Sequence, residues 1–114
     1  MDLRYQEHGD GILEWILGEH LTATVSSEFK QTVLSTTEKL KPREVIIHFA
    51  EEGYVDSAGI ASLVTLQRQF RKLNASISIC TKSEAIREVF FLTKLDRLFP
   101  LESDLDQTLE KLRP

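Results

Sequence analysis

The sequence predicts an α/β fold built on a mixed β-sheet, and three observations predict it. Short apolar or alternating runs, bounded by breakers such as Gly18, Pro42 and Asn74, recur between stretches of helical period. Strands that alternate with helices need crossover connections, which places parallel pairs in the sheet. The first two runs are separated only by Gly9-Asp10-Gly11, a turn signal, so they form an antiparallel hairpin at the sheet margin.

Leu3 to His8 alternates, with Leu3, Tyr5 and Glu7 on one side and Arg4, Gln6 and His8 on the other. Ile12 to Leu17 answers it with Leu13, Trp15 and Leu17 on a single face. Gly18 to Thr22 then breaks the strand, and Ala23, Phe29, Val33, Leu34 and Leu40 fall roughly on one helical stripe. Thr22 or Thr24 is the expected cap of that helix. Thr36 and Thr37 weaken its last turns, since branched side chains lose rotamer freedom in a helix. Lys41-Pro42 ends it, because proline disfavours helical geometry in the residue before it.

Glu44 to Ala50 is a short apolar run between breakers, the pattern of a central strand covered on both faces or nearly so. A helix over Ile60 to Leu73 follows, with Ile60, Leu63, Val64, Phe70 and Leu73 on its buried side and Arg68, Arg71 and Lys72 on a solvated one. After the turn Asn74-Ala75, Ser76 to Thr81 alternates as a strand, with Ile77 and Ile79 on one side and Ser76, Ser78 and Cys80 on the other. Thr81-Lys82-Ser83-Glu84 has capping-box spacing and predicts a helix over Lys82 to Leu92, anchored by Ile86, Val89, Phe90 and Leu92. Asp96 to Pro100 reads as a brief extended piece. Ser103 opens a last helix carrying Leu105, Leu109 and Leu112.

With 114 residues, the chain is expected to form one domain over residues 1–114. Its net charge of −4 argues against nonspecific nucleic-acid binding, which needs a basic surface to release counterions. Cys80 is the only cysteine, so no disulfide forms within one chain and a reducing compartment fits best. Its position in an alternating run reads as a small buried apolar residue. No stretch approaches the ~20 apolar residues of a membrane-spanning helix, and Met1-Asp2-Leu3-Arg4 lacks the apolar core of a signal peptide. The expected location is cytoplasmic, without direct membrane insertion.

The stretch Tyr54-Val55-Asp56-Ser57-Ala58-Gly59 joins the apolar strand to the next helix. Asp56 and Ser57 are strong capping residues, whose short side-chain oxygens accept orphan N–H groups of a first helical turn. Gly59 lets a second backbone approach the same turn. A negative charge added at Ser57 would sit at the positive end of the helix dipole, favoured by roughly 0.3–1 kcal/mol. That makes its hydroxyl a candidate phosphate acceptor, although a bare helix start would use the same residues.

Enzymatic chemistry finds less support. No glycine-rich phosphate loop occurs, no Cys/His pair has zinc spacing, and His8, His20 and His48 lie far apart in sequence. No cofactor is expected. Ser57 occupies a strand-to-helix turn like a hydrolase nucleophile, but Val55 stands where the elbow glycine belongs, and a base would have to come from His20 or His48. His48, inside an apolar strand, reads as a packed or edge-facing histidine.

The order hairpin, helix, apolar strand, Asp-Ser-Ala-Gly, helix, strand, helix and final helix resembles the STAS domain, the family of bacterial anti-sigma-factor antagonists, from about Leu3 to Leu112. Its most specific piece, Val55-Asp56-Ser57-Ala58-Gly59-Ile60, matches the family's Asp-Ser-Ser/Ala/Thr-Gly-Leu/Ile segment, and Gly18-Glu19 is a softer match. The resemblance implies a mixed sheet with helices packed mainly on one face. It makes Ser57 the phosphoacceptor, Asp56 the neighbour that shapes its loop, and Asp56, Ser57, Ala58, Gly59 and Thr22 the partner-binding positions. The implied partners are a serine kinase of the histidine-kinase-like ATPase fold, which doubles as the anti-sigma factor, and a metal-dependent phosphatase of the PP2C type. Exposed edge strands leave a homodimer open. The same resemblance includes unswitched accessory subunits of stress-sensing, anion-transport and lipid-transport complexes. The chain departs from the family at His20-Leu21-Thr22 and in the acidic Glu51-Glu52-Gly53.

Overall fold

The elements appear in the predicted order in a computed structural model that describes residues 1–114. Strands β1 (Leu3–Glu7) and β2 (Ile12–Leu17) form the hairpin, and α1 (Ser26–Leu40) leads to β3 (Glu44–Phe49). Helix α2 (Ser57–Lys72), β4 (Ser76–Cys80) and α3 (Glu84–Leu92) follow. A 3-10 turn at Leu95–Arg97, the short β5 (Leu101–Glu102) and α4 (Leu105–Leu112) complete the chain. The sheet order is β1-β2-β3-β4-β5, with β1 antiparallel to β2 and every other pair parallel.

Period-two alternation sorts the sheet into two faces. Leu13, Trp15 and Leu17 of β2 lie beside Val45, Ile47 and Phe49 of β3 and Ile77 and Ile79 of β4, and this face packs on Phe29 and Val33 of α1, Phe70 of α2 and Phe90 of α3. The opposite face carries Ile12, Ile46 and Cys80, covered by Leu109 of α4. Three helices therefore seal one face and a single short helix part of the other. The fold is the expected α/β mixed sheet with helices mainly on one face.

Several element boundaries differ from expectation, each for a local reason. Helix α1 starts at Ser26 with Val25 at its N-cap and no side-chain cap, so neither Thr22 nor Thr24 caps it. The Thr22 carbonyl instead accepts the Val25 and Ser26 N–H groups in a turn ahead of the helix, and Ala23 is drawn away by a bond to Asp56. Thr37 is tolerated inside α1 because its buried hydroxyl donates to the Val33 carbonyl at 2.8 Å. Lys41 closes the helix in the left-handed conformation, φ 51°, just before Pro42.

Helix α3 is capped by Ser83, not Thr81. The Ser83 hydroxyl accepts the Ile86 N–H and donates to the Gly53 carbonyl, while Thr81 accepts the Ser83 N–H. Leu92 is no anchor: it lies two residues past Phe90, about 200° round the helix, and is exposed with its neighbour Phe91. The 40 % exposure of Leu40 and Leu73 likewise puts both outside the core, Leu40 at the last residue of α1 and Leu73 just past the end of α2. Asp96 to Pro100 is not extended; Leu95–Arg97 coils so that Leu95 and Phe99 reach the core, and the strand comes later. Asp104 rather than Ser103 caps α4, its carboxylate accepting the Asp106 and Gln107 N–H groups.

Candidate functional site

Because β2 and β3 are parallel neighbours, the loops that follow them leave the sheet at the same end. Beyond the strands the two loops meet again: Leu21 and Val55 form an isolated parallel bridge, with the Leu21 N–H donating to the Tyr54 carbonyl at 2.9 Å and the Asp56 N–H to the Leu21 carbonyl at 3.2 Å. The loop before α1 and the loop before α2 are thus one laced unit.

Asp56 ties the lacing to the helix. One carboxylate oxygen accepts the Gly59 N–H at 2.9 Å, which is the N-cap bond of α2, and the other accepts the Ala23 N–H at 3.0 Å. The Gly59 and Ala23 N–H groups favour the ionised form and hold the Asp56 carboxyl below its ordinary value. Gly59 contributes by what it lacks. A Cβ there would run into the Leu21 carbonyl oxygen, so only glycine lets the two loops close.

Ser57 is the first residue of α2 and is exposed, its hydroxyl standing at the positive end of the helix dipole. Of the other sequence-predicted positions, Asp56, Ala58 and Thr22 are half-buried around it, and Gly59 is buried beneath it. The structure therefore gathers all five, with Ser57 outermost and Gly59 serving from within. Two residues of the same surface were not singled out as site residues. Tyr54 and His20 stack at this end of the sheet, their ring centroids 4.0 Å apart. The only signal for that pair is the Leu21–Val55 register, which a sequence does not display.

A family model for the STAS domain matches residues 7–108. The chain belongs to the STAS family. Among solved structures this STAS chain is similar to an anti-sigma factor antagonist from Mycobacterium paratuberculosis, at 21% identity and TM-score 0.82 over 98% of this chain and 93% of that one. It is also similar to the phosphorylated form of the Bacillus cell fate determinant SpoIIAA, at 14% identity and TM-score 0.69 over 97% and 99%. A sulfate transporter family protein from Wolinella succinogenes matches at 13% identity and TM-score 0.76 over 93% and 88%. At such identities the likeness is one of fold.

The far face of this STAS sheet holds a second polar cluster. The Glu14 side chain, buried on β2, lies 2.7 Å from His8 Nε2 through one carboxylate oxygen and 2.7 Å from His48 Nδ1 through the other. Both imidazoles turn inward to the carboxylate, and no group of three His, Cys, Asp or Glu side chains has the geometry to hold a metal ion. Cys80 is buried and free, as its alternating run suggested. No helix is long and apolar enough to cross a membrane.

Proposed function

We propose that this chain is a cytoplasmic anti-sigma-factor antagonist, a protein-binding module over residues 1–114 switched by reversible phosphorylation of Ser57. Unmodified, it binds a serine kinase of the histidine-kinase-like ATPase fold that is also the anti-sigma factor, and so frees the output that kinase restrains. Phosphorylated at Ser57, it lets go, and a PP2C-type phosphatase resets it. The observation that supports this best is that Ser57 is exposed at the first position of a helix whose cap is already supplied by Asp56.

The physics of the switch follows from that placement. A phosphoryl group adds about −1.5 to −2 charges and three acceptor oxygens where a neutral hydroxyl stood. Burying such a group unpaired under a partner costs several kcal/mol, and each 1.4 kcal/mol is tenfold in affinity. A protein of the same fold is known in a phosphorylated form. Catalysis by this chain is disfavoured by its histidines: His48 is bonded to Glu14 on the sheet face away from α2, and the His20 Nδ1 is occupied by the Tyr54 N–H. The outer edge of β1 is where a homodimer would form by strand pairing.

Purified chain incubated with the serine kinase encoded beside it and ATP should gain one phosphate by intact mass, and Ser57→Ala should gain none. An unmodified wild-type chain overturns the reading. It would favour instead an unswitched accessory subunit, a role suggested by the likeness to a sulfate transporter family protein.

A further inference from the structure

Strand β4 has a partner along only part of its outer edge. The Ile79 and Thr81 N–H groups point outward and donate to the Pro100 and Glu102 carbonyls at 2.8 and 2.9 Å, whereas the Ser76 N–H points inward to the Arg43 carbonyl. By the same alternation the N–H and carbonyl of Ile77 point outward, yet the ladder to β5 begins only at Ile79. Two local features stop it there. Continued back by two residues, the register would set the Leu98 carbonyl against the Ile77 N–H, but that carbonyl accepts the Gln67 side chain at 2.8 Å instead. It would also set Pro100 against the Ile77 carbonyl, and proline has no N–H to give. The Ile77 side chain is sunk in the core, so what this residue turns outward is an unpaired stretch of main chain.

That main chain opens on a groove of about 370 Å³, walled by Gln67 and Arg71 of α2 and by Leu98 and Pro100. Main-chain groups away from bulk water seldom go without a partner, and a strand edge left open is a template for another chain. The charges at the groove say which chain. Glu44, at one rim, is already paired with Arg43 at 3.5 Å. Arg71 is exposed and has no ion-pair partner. Helix α2 carries no acidic residue, and Arg68 and Lys72 beside Arg71 are unpaired as well, so this end of the helix is positive in a chain of net charge −4.

We propose that the open part of the β4 edge is a docking groove for an extended acidic segment of another protein, which pairs its main chain with Ile77 and a carboxylate with Arg71. An antiparallel visitor needs a single residue opposite Ile77, because such a pair exchanges both hydrogen bonds. That residue turns its side chain to the same face of the sheet as the Ile77 side chain, the face on which α2 packs. A glutamate there reaches toward Arg71, whose guanidinium takes a carboxylate through two parallel N–H bonds. Arg71 stands fourteen residues after Ser57, about 21 Å along α2 at 1.5 Å per residue. The dock is therefore separate from the phosphorylation switch and does not depend on it.

The experiment is a titration of the isotope-labelled chain, followed by NMR at its backbone amides, with the blocked pentapeptide Val-Thr-Glu-Thr-Val. The Ile77 amide should shift and exchange more slowly with solvent. Arg71→Ala should weaken binding at least about tenfold and leave the melting temperature unchanged, as expected of an exposed residue whose only partner is the visitor. Ser57→Asp should bind the peptide as the wild type does. The same peptide with lysine in place of glutamate should bind at least about tenfold more weakly, and one N-methylated at the glutamate, which cannot donate to the Ile77 carbonyl, should leave the Ile77 amide unmoved. An Ile77 amide that ignores the glutamate peptide overturns the proposal. Equal binding by Arg71→Ala, or equal binding of the lysine peptide, overturns the acidic partner. Equal binding of the N-methylated peptide overturns strand pairing. An Ile77 shift that follows the concentration of the chain alone, without peptide, makes a second copy the occupant and overturns the acidic segment.

Discussion

Glu14 keeps a carboxylate almost sealed within the far face of the sheet, and the groups around it decide its protonation. Burial pushes its pKa up, but hydrogen bonds from His48 and His8 outweigh that, so the carboxyl is held below its ordinary value. His48 is pushed up to about 9, by the Cys80 thiol across the strand pair and by the Glu14 carboxylate, against the opposing effect of burial. The two shifts have opposite consequences for stability. The raised imidazole contributes fully below 6.5 and loses its contribution as pH rises through about 9. The depressed carboxyl contributes above 4.5 and loses its contribution as pH falls through its lowered value. The pair therefore supports the fold most between 4.5 and 6.5. Urea unfolding midpoints of the wild type should decline from pH 6.5 to 9, and those of His48→Gln should decline less over the same span. Parallel curves for the two proteins would show that the imidazolium contributes nothing.

At the scale of elements, the start of α2 is fixed by another loop as much as by its own sequence. Glycine to alanine in an ordinary helix interior is stabilising by roughly 0.5–1 kcal/mol. At Gly59 the sign should reverse, because the new methyl meets the Leu21 backbone and would part the bridge between Leu21 and Val55. Thermal unfolding of Gly59→Ala should therefore show a lowered melting temperature and faster amide exchange at Leu21 and Asp56. A melting temperature above wild type would mean that the two loops close without need of the gap. Sequence pattern made the strands, the order of elements, the buried character of Ile47 and Cys80, and the Asp56 cap legible, since each depends on residues close in the chain. It misplaced the start of every helix, α2 beginning three residues before Ile60 and α4 two after Ser103, and it missed those of α1 and α3 because Ala23 answers to Asp56 and Ser83 to Gly53 across the fold. The Tyr54–His20 stack and the Glu14 cluster were hidden for the same reason. Both exist only once β2 and β3 lie in register.

For the molecule as a whole, the question is whether a charge at Ser57 is felt by the fold or only by whatever docks there. The terms within the chain nearly cancel. The α2 dipole favours a negative group at its first residue by roughly 0.3–1 kcal/mol, and repulsion from the ionised Asp56 opposes it. Ser57 is exposed, so water screens what remains, and the aromatic and aliphatic core beneath α2 is untouched. A partner covering the site has no such compensation, since Asp56, Glu51 and Glu52 already make this end of the sheet negative. Ser57→Asp should therefore melt within a few degrees of the wild type, as surface substitutions within about ±0.5 kcal/mol do, and bind the kinase at least about tenfold more weakly. Calorimetric titration and a thermal melt of the same preparation separate the two effects. If affinity and melting temperature fall together, the modification acts by loosening the laced loops rather than by repelling a visitor, and a switch that leaves the fold intact is ruled out.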